Sequence, residues 1–528
     1  MVAILDQHGK PWVDQEKNRL RAELASVRRE MATIRGRYDS AQTNNGNALH
    51  WAQADNFDPN TAARSDVRRT LRMRSRYECG ENNPLLKGIL QSVANDFVGS
   101  GPSLQITDPR IPDDRKVVIE QRAAEWAREI KLRQTLWRMK LAKMIDGEGI
   151  ARAYRRRMDY PVQLDFQVVE SEQCTSNSVS TGKTPDGVNE IDGVRYDNFG
   201  NPLEYHILDH HPGRGLFSGL GTPIEISGHW HKARHVLHWF RQDRGWQRGI
   251  PELAASLDMC ADLRRYIKAL VRCMEIAASF SVLIESESPA NAAAAWTGEK
   301  GEDYEGSPFD VFHIEAGMIN QMPGGYKASQ LNSVPMGEEC EAFVGLLVRM
   351  IVRPIQVTYN RAIGSSKDSN MASSVVDDQI YKSGHQHERT HCEDYALSQA
   401  FGLWWEQAVR IPGYLGDDQL ASDRAFRRLP RHKYLWPNVG VQHTDPAKIA
   451  KSLETLLKNR FATQRHIQEE FYGRSVEDWE ADCINDLRIE KRIADERKKL
   501  GLDESAEDHA EDQKPDKKKE AERDEEAK

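Results

Sequence analysis

Hydrophobic residues follow two different periods in the middle of the chain. Segment 246–285 repeats them every three or four positions, which predicts a helix with one apolar face. The apolar positions are Leu253, Leu257, Cys260, Leu263, Ile267, Leu270, Met274, Ala277 and Phe280. The opposite face carries Asp262, Arg264, Arg265, Lys268, Arg272 and Glu275. About 30 residues at about 1.5 Å each would make a rod of roughly 45 Å.

The segment before the rod alternates apolar and polar residues instead. VQLDFQVVE, GVRYDNFGNPLEYHIL and HVLHWF, all between Pro161 and Phe240, predict a small antiparallel sheet with an Asn-Phe-Gly-Asn-Pro turn. Two helices are expected in 115–158, and two more within 67–104, broken at Gly80 to Pro84 and ending at Gly99. The chain is therefore predicted to be α+β and mainly helical.

Further helices are expected on both sides of this region. An amphipathic helix is predicted at 15–38, another at 337–353, and a long one from about 373 to 410. Asp445-Pro446 is a helix start, and two or three helices should follow it. The remaining segments predict loops, arms or linkers: 39–66, 286–335 with a strand pattern at FDVFHIEAGMINQM, and the polar stretch 359–374. The charged tail after Leu502 is expected to be disordered.

Composition narrows the class of protein. The chain has 528 residues and a formal net charge of −8, which argues against a generic nucleic-acid coat. Its mean hydropathy is −0.69. Neither a signal peptide nor a membrane span is predicted, since the best apolar run, FVGLLVRMIVRPI, contains Arg349 and Arg353. The seven scattered cysteines, without a CxxC, indicate free thiols in a reducing compartment.

His387-Glu388-Arg389-Thr390-His391 is a literal HExxH sequence, the pattern in which two histidines bind zinc and a glutamate activates water. The residues that follow, CEDYALSQAFG, lack the glycine and third histidine of the metzincin pattern, although Glu406 is a distant candidate ligand. The polar surroundings favour a solvated helix face. A zinc metalloprotease is therefore kept only as the alternative function.

Two other patterns have weaker chemical meaning. Ser180-Thr181-Gly182-Lys183-Thr184 resembles the end of a phosphate-binding loop but lacks the first glycine and a preceding apolar strand. Seven histidines crowd one region, namely His206, His210, His211, His229, His231, His235 and His238. A metal site there is possible in principle, but ordinary hydrogen-bonded histidines are the simpler interpretation. No cofactor, metal or catalytic residue is therefore predicted.

One stretch resembles a known family. HWFRQDRGWQRGIPELAASLDMCADLRRYIKAL is similar to the segment that marks lambda-type phage portal proteins: a histidine, an aromatic residue, an arginine, then Gln-Arg-Gly-x-Pro before a long helix. The matching positions are His238, Arg241, Gln247, Arg248, Gly249 and Pro251. RSRYECGENNPLLKGILQSVANDFVGSG, IEAGMINQMPGG and the block from WPNVGV onward also resemble the family, over roughly residues 65 to 495.

The resemblance implies a ring-forming fold with wing, stem, clip and crown regions. It implies a homo-oligomer, typically a dodecamer, at one capsid vertex of the virion, after assembly in the host cytoplasm. Its other implied partners are double-stranded DNA, the large terminase subunit, the major capsid or scaffold protein and a head-tail adaptor, with no membrane. Genome packaging and ejection through the central channel would be its function, with no enzymatic activity.

The resemblance also implies an order of regions along the chain. These are an N-terminal helix and arm (1–66), wing (67–245), first stem helix (246–285), clip (286–335), second stem helix (336–353), tunnel loop (354–372), a long wing helix (373–430), crown helices (431–502) and a charged tail (503–528). The candidate DNA-facing residues of the tunnel loop are Asn360, Arg361, Lys367 and Asp368. The charged candidate residues of the stem are Arg264, Arg265, Lys268 and Arg272. A third reading is a portal-like nucleic-acid scaffold that never forms a capsid vertex.

Overall fold

The structure is a computed structural model. It describes residues 17–27, 49, 52, 54, 56–176, 182–183, 189–213, 227–278, 282–286, 326–330, 338–365, 370–416, 428–437 and 446–499. The chain divides into two units, residues 1–62 and residues 63–528. In the first unit, the described helical segments are residues 17–27 and Pro59–Ala62. All other elements belong to the second unit.

Helices make up most of the described part of the second unit. They are α1 (Ser65–Ser75, continuing as a π-helix at Arg76–Asn82), α2 (Pro84–Val98), α3 (Asp113–Glu129), α4 (Leu132–Asp146), α5 (Leu257–Ala278), α6 (Glu338–Val352), α7 (Tyr359–Ile363), α8 (Met371–Cys392, continuing as a π-helix at Glu393–Leu397), α9 (Ser398–Ala408), α10 (Pro446–Lys458), α11 (Gln464–Phe471) and α12 (Val476–Lys499).

The described strands form four antiparallel groups. They are β1 (Ser103–Ile106), β2 (Glu148–Arg155), β3 (Leu164–Val169), β4 (Gly182–Lys183), β5 (Asn189–Ile191), β6 (Val194–Tyr196), β7 (Pro202–Leu208), β8 (Gly228–Lys232), β9 (Val236–Phe240), β10 (Val282–Ser286), β11 (Tyr326–Gln330) and β12 (His432–Leu435). The orders are β3-β2-β9, β4-β5-β6-β7-β8, β1-β12 and β10-β11. The alternating segments thus form two sheets, where the sequence predicts one.

Three hydrophobic clusters hold these elements together. The largest packs the β3-β2-β9 sheet against helices α3, α4 and α9 around the fully buried Trp239 and Trp404. A second joins α2, α5, α6 and α8, with Leu263, Ile351 and Tyr381 at its centre. The third lies between the two larger sheets. Each buried large side chain contributes roughly 1.5–3 kcal/mol, so the clusters fix the position of the charged groups described below.

The prediction of two helices in 115–158 is wrong at its C-terminal end. Helix α4 ends at Asp146, and Gly147 follows with φ of 92°, a left-handed conformation that glycine adopts without steric strain. The next eight residues form β2, the central strand of its sheet, paired with both β3 and β9. Pairing on both sides supplies the backbone hydrogen bonds that a helix would otherwise provide, so tertiary context overrides local periodicity.

Several boundaries also differ from the prediction. The rod begins as an α-helix at Leu257, after a turn of 3₁₀-helix, so α5 has 22 residues rather than the 30 or more predicted. The break predicted at Gly80 to Pro84 is present and lies at Asn83, where the extended backbone ends the π-helix and the side chain caps α2. Residues 354–372 are not one loop, since they include α7.

The remaining segments agree with the expected helices or lie outside the described residues. The structure has helices where 337–353, 373–410 and the region after Asp445 predict them. The predicted strand FDVFHIEAGMINQM and the tail after Leu502 lie outside the described residues, as do most of 286–335 and of 15–38. Within the described part of the chain, no helix is long and apolar enough to cross a membrane.

Candidate functional site: a buried charge cluster and the helices beside it

The portal-like motif meets strand β2 in a cluster of buried charges. Glu148, the first residue of β2, is fully buried and pairs with Arg248 and with Arg72 of α1. Arg248 Nε donates to Glu148 Oε2 at 3.0 Å, and Arg72 Nη2 donates to Oε1 at 2.8 Å. The Gly249 backbone N–H donates to Oε2 at 3.1 Å. A single carboxylate therefore joins three segments that are far apart in the sequence.

A second carboxylate extends the cluster. Asp192, in the turn between β5 and β6, pairs with Arg68 of α1 at 3.1 Å and lies 3.7 Å from Arg248. Arg248 also donates to the backbone carbonyls of Cys174 and Asp192. Its guanidinium consequently bridges both larger sheets. Charged groups buried this deeply require such partners, because an unpaired charge would carry a large desolvation penalty.

The cluster shifts the pKa values of its members. Burial opposes the ionised form of Glu148, but the charges of Arg248 and Arg72 outweigh burial and hold its pKa well below the usual value. Burial likewise opposes the charge of Arg248, yet Glu148 raises its pKa well above the usual value. Burial lowers the pKa of His238, which lies 3.1 Å from Glu148 through Nε2. The cluster is therefore a set of buried ion pairs that remain charged at neutral pH, with a neutral histidine beside them.

The glycine of the motif is required by backbone proximity. A Cβ added to Gly249 would lie 2.2 Å from the carbonyl oxygen of Gly147, and one added to Gly147 would lie 2.2 Å from the backbone of Ile250. These backbones cross beside Glu148, and real Cβ atoms do not approach other atoms so closely. Glycine at both positions therefore allows the motif to seat against the end of α4.

The other motif residues have different environments. Pro251 is buried just before the 3₁₀ turn that leads into α5. The backbone carbonyl of Gln247 accepts a hydrogen bond from Tyr196. Arg241 is mostly exposed and pairs with Asp243 at 3.1 Å. The motif thus contains a buried structural part and an exposed arginine.

The predicted stem residues lie on α5, but not in equivalent surroundings. Arg264 pairs with Glu78 at 2.7 Å and stacks over Tyr77. Arg265 pairs with Asp262 on the same helix, whereas Lys268 and Arg272 are exposed on it. Helix α5 packs against α6 through Tyr266 and Phe343, and Ser256 donates to the carbonyl of Ile351 at 3.1 Å. The two predicted stem helices are therefore neighbours.

The predicted tunnel loop begins with a closed polar cluster. Arg361, on α7, pairs with Asp378 at 2.9 Å and with Asp96 at 3.1 Å, and its guanidinium lies over the ring of Tyr381. Asn360 donates to Asp377 at 3.0 Å. Lys367 and Asp368 lie outside the described residues. Asn360 is thus bound to α8, and Arg361 to carboxylates on α2 and α8.

The HExxH residues are also committed to other groups. Glu388 pairs with Lys140 at 2.9 Å and with Lys143 at 3.0 Å. Burial raises the pKa of Glu388, but the two lysines outweigh burial and hold it below the usual value, which suits an ion pair rather than a proton acceptor. Arg389 donates to the carbonyl of Phe97, and His391 Nδ1 accepts from Trp239 at 2.9 Å. Among the described residues, no group of His, Cys, Asp and Glu is placed to hold a metal ion.

Three of the crowded histidines have separate partners. His206 contacts the carbonyl of Thr175 at 2.7 Å, His211 contacts Glu172 at 2.7 Å, and His229 lies 3.5 Å from Asp209. In the phosphate-loop-like stretch, Gly182 and Lys183 form a strand that pairs with β5. A strand does not present the nest of backbone N–H groups that holds phosphate.

The sequence interpretation missed the acidic and basic partners of the motif. Arg68, Arg72 and Arg76 are spaced by four residues along one continuous helical segment, and all three form ion pairs with carboxylates. This spacing is visible in the sequence and is a signal for one charged helix face. The partner carboxylates, by contrast, lie about 70 to 125 residues away, and their position depends on the sheet.

The site therefore consists of ion pairs and hydrogen bonds that hold the fold around the paired helices α5 and α6, as expected for a protein that assembles with other subunits. Residues 45–376 match the family described as phage portal protein, lambda family. The chain belongs to this family, which is structural rather than enzymatic. A comparison with curated proteins finds no match.

Solved structures also resemble the chain, at low identity. The neck of an empty gene transfer agent particle, computed with C6 symmetry, has 12% identity over 75% of this chain and 92% of that one, with a TM-score of 0.41. The virion of a native gene transfer agent particle has 13% identity over the same shares and a TM-score of 0.37. The neck of the native particle, computed with C12 symmetry, has 11% identity, again over the same shares, and a TM-score of 0.40.

Proposed function

We propose that this chain forms a ring at one capsid vertex and that double-stranded DNA passes through the ring during packaging and ejection. The observation that carries the proposal is the match of residues 45–376 to the portal family. The large terminase subunit would dock on the ring during filling, and a head-tail adaptor would replace it afterwards. The ring would be built into the capsid with the major capsid or scaffold protein in the host cytoplasm and remain in the virion.

The charge balance of the chain suits a channel through which DNA slides. Each lysine or arginine that neutralises a phosphate adds affinity and so resists movement. The chain has a net charge of −8, and two of the four predicted stem cations, Arg264 and Arg265, are paired with carboxylates. Lys268 and Arg272 remain exposed on α5, so we propose them as the weak phosphate contacts of the stem.

Helices α5 and α6 are proposed as the two stem helices, with the clip between them at about 286–335. Their contact through Tyr266 and Phe343 supports a paired stem. The wing would comprise residues 67–245 and the long helix region 373–430, and the crown the helices after about 431. Strand β12, in the proposed crown, pairs with β1 of the proposed wing, so these two regions share a sheet.

The four predicted tunnel-loop residues are proposed to have two different roles. Arg361 and Asn360 would anchor the start of the loop, since their carboxylate partners lie on α2 and α8. Lys367 and Asp368, further along the same segment, would be the residues that contact DNA. This division would separate the residues that contact DNA from those that hold the loop to the rest of the fold.

The function is tested by particles assembled with and without the chain. Particles that contain it should hold DNA and should show it at a single vertex by cryo-electron microscopy. Particles assembled without it should be empty of DNA. Two results would contradict the proposal: the chain at many vertices, or DNA-filled particles that lack it. Either would favour a portal-like scaffold that does not form a capsid vertex.

A further inference from the structure

The C-terminal helix α12 exposes large apolar side chains. It spans Val476–Lys499 without a buried residue, and every residue from 484 to 499 is exposed. Ile484, Leu487, Ile489 and Ile493 are 50%, 65%, 42% and 48% exposed. Most of the stability of a helix in a protein comes from packing of its apolar side chains, and aliphatic side chains exposed along a helix offer a surface for such packing. A partner is therefore expected to cover it.

The apolar residues lie on two opposite sides of the helix. At 3.6 residues per turn, Ile484 and Leu487 point to one side, and Ile489 and Ile493 point to the other, about 180° away. One side continues to Lys491 and the other to Glu496. Each side therefore carries two aliphatic residues followed by one charge, within eight consecutive residues. We name them the lysine face (Ile484, Leu487, Lys491) and the glutamate face (Ile489, Ile493, Glu496).

The two faces are complementary to each other. Corresponding residues are offset by five or six positions, which is about 8 Å along the helix. If two copies of α12 lie side by side in the same direction with this offset, the aliphatic pairs meet and Lys491 meets Glu496. A helix with two mutually complementary faces can bind a copy of itself on each side. An unrelated partner would require only one complementary face, so the second face favours self-association.

We infer that α12 packs between the α12 helices of two neighbouring copies of this chain, with the lysine face on one neighbour and the glutamate face on the other. The inference rests on the proposed ring and identifies one of its contact surfaces. In a cyclic ring, every contact is head to tail, so each copy uses two different patches. Rotation about the ring axis keeps neighbouring helices pointing the same way, and a tilt of each helix supplies the offset.

The local ion pairs do not compete with this contact. Glu496 pairs with Lys499 at 2.8 Å, but both side chains are more than half exposed, and such pairs contribute little. Arg465 pairs with Glu477 and Arg474 with Asp482, so the first turns of α12 lie against the segment around α11. The outer part, residues 484–499, is left to contact the neighbours.

The test is a charge exchange between the two faces in the full-length chain. Lys491→Glu and Glu496→Lys should each raise the protein concentration needed for half-maximal ring assembly by about threefold to tenfold, because each places like charges across every contact. The double variant should return to the wild-type concentration. Lys491 and Glu496 lie on opposite sides of one helix, so rescue requires contact between copies. Mass photometry over a dilution series gives the concentrations.

Arg492→Glu is the matched control, since it makes the same charge change on the strip between the two faces. It should leave assembly unchanged. If the wild type forms a closed ring and the single reversals assemble like it, the inference is wrong and the proposed function stands. If the single reversals weaken assembly and the double variant does not recover, α12 contacts some other surface and the inference is again wrong. A wild-type chain that forms no closed oligomer overturns both.

Discussion

Arg248 and Glu148 form an ion pair in which neither side chain is exposed to solvent. Arg248 belongs to the Gln-Arg-Gly-x-Pro motif, and Glu148 begins the central strand of a three-stranded sheet. The motif is part of the stretch that resembles portal proteins, and its arginine here serves the packing of the subunit. The pair fixes the segment from which α5 departs, so it sets the position of the proposed stem relative to the proposed wing.

Replacing Arg248 should destabilise the subunit strongly. Arg248→Met would leave the carboxylate of Glu148 buried with fewer partners, and breaking a buried pair in this way costs about 3–5 kcal/mol. The free energy of unfolding from urea titration checks the value. Arg241→Met is the control, because Arg241 is in the same motif but exposed, and its effect should stay within about 0.5 kcal/mol. Equal effects of the two variants would contradict the structural role of Arg248.

The motif glycine should tolerate no side chain. In Gly249→Ala the new Cβ would meet the carbonyl of Gly147 at 2.2 Å, so backbone must move beside Glu148. We expect little soluble protein, or a loss of roughly 3 kcal/mol or more in unfolding free energy. Gly88→Ala, in α2, meets nothing within 4 Å and should stabilise the protein by up to about 1 kcal/mol. A mild effect at Gly249 would show that the backbones do not cross there.

Variants in the HExxH sequence distinguish the proposed portal function from a zinc protease. Glu388→Gln should reduce stability by about 1–3 kcal/mol, because the buried ammonium of Lys143 would lose a carboxylate partner. His387→Ala should change little, since His387 is exposed. A zinc protease would instead lose its zinc with His387→Ala and its activity with both variants. Metal analysis of the purified wild type, together with the unfolding free energies of both variants, distinguishes the two functions. One bound zinc per chain that is lost in His387→Ala would support the protease function.

Stability should fall as the solution becomes acidic, partly through His385. Burial, then the charges of Lys140 and Arg389, lower the pKa of His385 to about 4 from its usual value near 6.5. The unfolded chain therefore binds a proton below pH 6.5 that the folded chain does not bind until about pH 4. The stabilisation by this group is complete above pH 6.5 and is lost between these values, by roughly 3 kcal/mol.

His385→Gln isolates that contribution, since glutamine does not titrate. Unfolding free energies measured at several pH values should fall less steeply between pH 6.5 and 4 in the variant than in the wild type. The stability of both proteins still falls at lower pH, because carboxylates with lowered pKa values, such as Glu148, become protonated there. Parallel curves for the two proteins would show that His385 is not held neutral.

Periodicity predicts the long elements of this fold well, and it fails where distant segments decide the structure. Helix α6 lies where the sequence predicts a helix at 337–353, and α8 and α12 lie within the helical regions predicted at 373–410 and after Asp445. Strand β2 contains Ala and Arg residues that suit a helix, and only its pairing with β3 and β9 makes it a strand. The β1–β12 pair joins residues more than 300 apart, which no local pattern shows.

The candidate site was predictable to a similar extent. The motif around Arg248 marks the family, but the sequence does not show that its arginine is buried, because Glu148 and Asp192 lie on separate strands or turns. Arg361 was expected to face DNA from a polar loop. Its commitment to Asp96 and Asp378 depends on two helices that pack against that loop. Charge alone does not distinguish an arginine that binds a ligand from one that holds the fold.

The central claim is that copies of this chain close into a ring with an open channel. Single-particle electron microscopy of the purified full-length chain, with its mass measured in the same buffer, tests this claim most directly. We expect a hollow ring of about a dozen copies, with α5 and α6 side by side along the channel. A protein that stays monomeric at the concentrations used for imaging, or that forms a closed oligomer without a channel, would contradict it.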